Sequence, residues 1–78
     1  MKLEFAMNSL LLEGYVVEDW QHTDGTWCCR ATNTKDGEEY NSNQWKRRAD
    51  AIKGVYRFIK KLELAELELA ELRLAAGE

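Results

Sequence analysis

Proline is missing from this chain altogether, and 78 residues hold only two cysteines and one histidine. With no proline, nothing of that kind stops a helix once it has started. Two cysteines cannot build the multi-bridge framework of a small secreted domain. Cys28 and Cys29 are neighbours, so in a strand they point to opposite faces, and they have the wrong spacing for a CxxC metal or redox motif. His22, beside a turn, has no nucleophile placed with it in the sequence and reads as a solvated turn residue rather than a general base. A Gly-rich phosphate loop is lacking. No apolar run approaches the roughly 20 residues of a membrane span. Lys2 and Glu4 interrupt the only apolar stretch near the N-terminus, so no signal segment is expected. These absences predict a soluble, cytoplasmic protein with no catalytic residues, metal site, cofactor or small-molecule substrate.

What is present is a chain 45% hydrophobic and 32% charged, too apolar for a disordered tail. A single domain of this length hides only about 60–65% of the surface its unfolded form exposes. The core is therefore expected to be thin, with support coming from a partner. The net charge of −3 conceals a pattern. Residues 1–45 carry three cations against eight carboxylates, residues 46–61 seven cations against Asp50, and residues 62–78 Arg73 against five glutamates. The order along the chain is acidic, basic, acidic.

The predicted fold is α+β: an antiparallel sheet of three or four strands within residues 1–43, then one long helix, 44–76, packed on the sheet and projecting beyond it. Asp24-Gly25 and Asp36-Gly37 are turn signals with strand formers on both sides. They set a strand at 27–32 between a strand ending near Trp20 and a short one around 38–42. At the N-terminus Leu3, Phe5 and Met7 alternate with Lys2, Glu4 and Ala6, the period of a half-buried strand. A helix is the alternative, because Leu3, Met7, Leu10 and Leu11 also fall at helical spacing and Gly14 can cap it. Asn41, Ser42 and Asn43 supply N-caps for the long helix.

That helix changes character partway. Ala51, Ile52, Val55, Phe58, Ile59 and Leu62 share one arc, while Lys46, Arg47, Lys53, Arg57, Lys60 and Lys61 form a basic outer face. From Leu62 a five-residue repeat lays down two apolar stripes. Leu62, Ala65, Leu69, Leu72 and Ala76 continue the core arc at heptad-like spacing, and Leu64, Leu67, Leu74 and Ala75 make the second. About 33 helical residues span roughly 50 Å, whereas six-residue strands span about 20 Å, so half the helix must overhang its sheet. An overhang apolar on two sides predicts a dimer or partner interface through Leu64, Leu67, Leu69, Leu72 and Leu74. A break at Lys60-Lys61 with the tail folded back is the competing arrangement. Cations at the helix start and glutamates toward its end oppose the helix dipole. Antiparallel pairing of two copies would set basic half against acidic half, so an antiparallel homodimer is expected.

Two resemblances attach to particular residues. Asp24-Gly25-Thr26-Trp27, the turn Asp36-Gly37 and a helix opening before Ala49 resemble the three-strands-then-helix domains that begin many phage-type integrases, which implies an architecture. If the N-terminus is helical, the order of elements is similar to a double-stranded-RNA-binding domain, and Lys46-Arg47-Arg48 echoes its lysine-rich helix start. Both leave open a nucleic-acid-binding accessory role for the basic helix 46–61, with Trp45 and Tyr56 as stacking neighbours.

Three tryptophans are many for so short a chain. Trp20 and Trp27 flank the Asp24-Gly25 turn and could pair across it, and Trp20, Trp27 or Trp45, if exposed, would anchor a protein partner. The leading expectation is a non-catalytic protein–protein interaction module working as a homodimer. A stand-alone inhibitor or adaptor fits this size and lack of chemistry, such as a phage-encoded anti-defence protein of the anti-CRISPR kind acting in the host cytoplasm.

Overall fold

The computed structural model describes residues 1–75. In chain order it contains α1 (Leu3–Leu12), β1 (Tyr15–Gln21), β2 (Trp27–Asn33), β3 (Glu39–Asn41) and α2 (Arg48–Ala75). The sheet is antiparallel in the order β1-β2-β3, and the long helix packs on it and runs past it, as expected of an α+β chain.

The N-terminal strand reading is corrected: residues 3–12 are helical. Leu3, Ala6, Met7 and Leu10 fall at helical spacing and reach the core, with Ala6 and Leu10 fully enclosed. Phe5, which the alternating pattern placed with Leu3 and Met7, is 59% exposed. A stripe long enough to cover α2 outweighed a short alternation. Gly14 ends this helix at φ +91°, a backbone setting that residues with a Cβ adopt at a cost, and its N–H donates to the Leu11 carbonyl at 3.2 Å. The chain then turns directly into β1.

Pairing of β1 with β2 runs from Tyr15 opposite Asn33 to Gln21 opposite Trp27. The Asp24 turn closes through Oδ1, which accepts from the Thr26 N–H at 2.9 Å and its hydroxyl at 2.6 Å. In the second turn Asp36 Oδ1 accepts from the Glu38 N–H at 2.9 Å. Side-chain alternation sends Tyr15, Val17, Cys29, Ala31 and Tyr40 toward the helices. The core closes on Ala6, Leu10, Ala51, Ile52, Val55 and Ile59. Cys29 and Ala31, both small and fully buried, let α2 lie close to the central strand.

The long helix starts four residues later than expected. Trp45 forms an isolated bridge with Trp27, each backbone N–H donating to the other's carbonyl at 2.6 and 2.9 Å, which holds the chain extended there. Ser42 does not cap the helix; its hydroxyl accepts from the Cys29 N–H at 2.8 Å and donates to the Asn43 carbonyl at 2.8 Å. Lys46 and Arg47 therefore precede the helix. No break occurs at Lys60-Lys61, since α2 is continuous from Arg48 to Ala75. The expected helix end at residue 76, including Ala76 of the first stripe, lies outside the described residues.

Candidate functional site

Ile59 is the last buried residue of α2, and every residue from 61 to 75 is exposed. The molecule is accordingly elongated, 53 Å by 21 Å by 21 Å. Leu62, Leu64, Leu67, Leu69, Leu72 and Leu74 are between 37% and 74% exposed on this overhang. Phe58, assigned to the core arc from the sequence, is 49% exposed. Its ring rests against the rim of the sheet, 6.2 Å from that of Tyr40, so the first apolar stripe surfaces a turn before the overhang begins.

The basic face is smaller than the sequence suggested. Lys60 is tied down at the surface: its ammonium bonds Glu13 at the end of α1 and Glu63 at 3.2 Å, and lies 5.5 Å from the Tyr56 ring centre. Burial alone would lower its pKa, but the two carboxylate bonds outweigh it and raise it. Arg48 binds Asp19 through both Nε at 2.7 Å and Nη2 at 3.2 Å, joining the first turn of α2 to β1. Among the described residues Lys46, Arg47, Lys53, Arg57 and Lys61 have no carboxylate within 4 Å.

The face of the sheet turned away from the helices carries Val16, Glu18, Trp20, Cys28, Arg30 and Glu39. Arg30 sits at its centre, 3.7 Å from Glu18, 3.5 Å from Glu39, and 5.5 Å from the Trp20 ring centre. One cation thus serves two carboxylates, and this face of the sheet keeps a net negative charge. Trp20 and Trp27 do not pair: Trp20 stands opposite Cys28 and Trp27 opposite Gln21, which puts the indoles on opposite faces. Trp27 packs against the core, whereas Trp20 and Trp45 are each 36% exposed. The Trp45 indole is seated on Gly54, where an added Cβ would come within 3.1 Å of Nε1.

His22 does have a nucleophile beside it, since its Nε2 lies 3.0 Å from Cys28 Sγ. The sequence held the clue: His22 and Cys28 flank one turn at positions whose side chains share a face. Cys29, one residue on, is fully enclosed on the other face, and burial pushes its thiol up to about 11.

A polar cleft between the second turn and α2 is lined by Tyr15, Asp36, Glu38, Tyr40, Glu63 and Glu66. The Tyr40 hydroxyl donates to Glu38 Oε2 at 2.7 Å, and that bond leads the effects holding its pKa up at about 12. Glu63 meets Lys60, but among the described residues no cation lies within 4 Å of Asp36, Glu38 or Glu66. This gathering of carboxylates was not foreseen, because residues 36–38 and 63–66 meet only through the packing of α2.

Among the described residues no helix is long and apolar enough to cross a membrane, and no three metal-ligating side chains gather. In comparisons with known proteins, no family model, no curated protein and no solved structure matches the chain.

Proposed function

We propose that this protein is a non-catalytic protein–protein interaction module that works as a homodimer through the distal half of α2. The observation that carries this reading is the overhang itself: a continuous helix beyond the sheet on which six leucines face water. Burying one such side chain is worth about 1.5–3 kcal/mol, so a second copy covering one stripe supplies the stabilisation that a thin core lacks. A small adaptor or inhibitor acting by surface occlusion, of which phage anti-defence proteins are one kind, fits these features. Trp20, half-exposed on the open sheet face, is the natural anchor for a target.

Sedimentation equilibrium and light scattering test the dimer. At tens of micromolar the expected mass is twice 9.1 kDa. Leu69→Glu should return it to the monomer value without loss of helical circular dichroism. A wild-type monomer at that concentration sinks the proposal.

A second reading is favoured by two observations. The element order α1-β1-β2-β3-α2 is the one that the double-stranded-RNA-binding resemblance implies, and five cations between Lys46 and Lys61 are unpaired among the described residues. Under that reading the basic segment contacts phosphates, and binding weakens steeply with salt. Gel shifts with generic RNA and DNA duplexes separate the two. A shift abolished by Lys53→Glu with Arg57→Glu favours nucleic acid, and no shift at low salt removes it.

A further inference from the structure

The orientation of the proposed dimer is written in positions that flank the first stripe. Val55, Phe58, Leu62, Ala65, Leu69 and Leu72 follow 3–4 spacing, which assigns Leu62 and Leu69 to position a and Phe58, Ala65 and Leu72 to position d of a heptad. Position g is then Lys61 and Glu68, and position e is Glu66 and Arg73. All four are exposed. In a parallel, in-register pair a g residue faces the e residue five positions on in the other copy. Lys61 then meets Glu66 of the second copy, and Glu68 meets Arg73. Two-fold symmetry makes four attractive pairs. With the same stripe paired antiparallel, Leu62 sits opposite Leu72, and Glu66 and Glu68 each face their own copy.

Resting on the homodimer reading, we infer that two copies join in parallel and in register through Phe58, Leu62, Ala65, Leu69 and Leu72. The acidic cleft points the same way independently. Glu66 opens onto it beside Asp36 and Glu38, and the cleft has no cation of its own for these three carboxylates among the described residues. The parallel register delivers Lys61 of the second copy to that position. The antiparallel order suggested by whole-segment charge loses its basis once faces are assigned. Lys53, Arg57 and Lys60 lie roughly 100–160° around the helix from this seam, so the basic half of one copy does not confront that of the other. Leu64, Leu67 and Leu74 remain on the outer surface of the pair.

Disulfide trapping decides the orientation. Leu72→Cys should oxidise readily to a covalent dimer, because the two thiols face each other in register. In the antiparallel pair they would stand about 15 Å apart and stay free. Glu66→Lys should weaken the dimer about tenfold by turning two attractions into repulsions, and adding Lys61→Glu should restore it. Wild type, whose cysteines are both buried, is the background control. A dimer by mass whose Leu72→Cys variant does not cross-link, or whose charge reversals have no effect, overturns the parallel register and leaves the homodimer standing. A wild-type monomer overturns both.

Discussion

Replacing Gly14 by alanine isolates one backbone torsion from everything else at the joint between α1 and β1. Gly14 holds φ +91°, and a Cβ built there meets only Thr34 Oγ1, at 3.5 Å, an ordinary contact. Its hydrogen bonds all use backbone atoms that alanine also has: the carbonyl accepts from the Thr34 N–H at 3.0 Å and hydroxyl at 2.7 Å. The cost is therefore conformational. A residue with a Cβ pays about 1–2 kcal/mol in the left-handed region and gives back about 0.4–1 kcal/mol through a less disordered unfolded chain, leaving a net loss of about 1 kcal/mol. For a domain of this size that lowers Tm by about 4–8 °C. Asparagine, which tolerates this region, should fall between glycine and alanine. Urea unfolding followed by far-ultraviolet circular dichroism at one fixed protein concentration gives both differences. Alanine matching glycine within about 0.3 kcal/mol, or asparagine falling below alanine, would refute the torsional account.

Gly54 should behave differently, because its side is filled by the Trp45 indole. Gly54→Val is expected to displace that ring, red-shift tryptophan emission and destabilise, and to do so much less in a Trp45→Ala background; additive effects would contradict the packing. The Arg48–Asp19 pair is bidentate but exposed, so a double-mutant cycle should return a coupling of no more than about 1 kcal/mol. Cys29 titrates higher in the folded state than unfolded, from a usual 9.0 to about 11, because burial disfavours its thiolate. The unfolded chain sheds that proton first, so the stability this thiol contributes is present below pH 9 and is lost as pH rises toward 11. Cys29→Ala should flatten that alkaline decline in urea midpoints; an unchanged decline would locate it elsewhere.

Much of the fold follows from local chemistry in the sequence. The Asp-Gly turns set the hairpins and alternation set which face of each strand is buried, because both depend on residues a few positions apart. Helix length and the five-residue repeat from Leu62 pointed to leucines beyond the cover of the sheet, while the competing break at Lys60-Lys61 was settled by the continuous α2. Local pattern could not decide between strand and helix for residues 3–12, since both periods are present; the surface of α2 that Ala6 and Leu10 cover made the choice. Nor could it place the start of α2, which the Trp27–Trp45 bridge postpones, or reveal that Lys60 and Arg48 are bound to Glu13 and Asp19. The same holds for His22 beside Cys28 and for the carboxylates gathered around Glu66. Composition and periodicity act over single turns and strands and are legible in one dimension. Which charge finds which partner depends on how α1, the sheet and α2 come together, and only the tertiary structure brings those residues within reach.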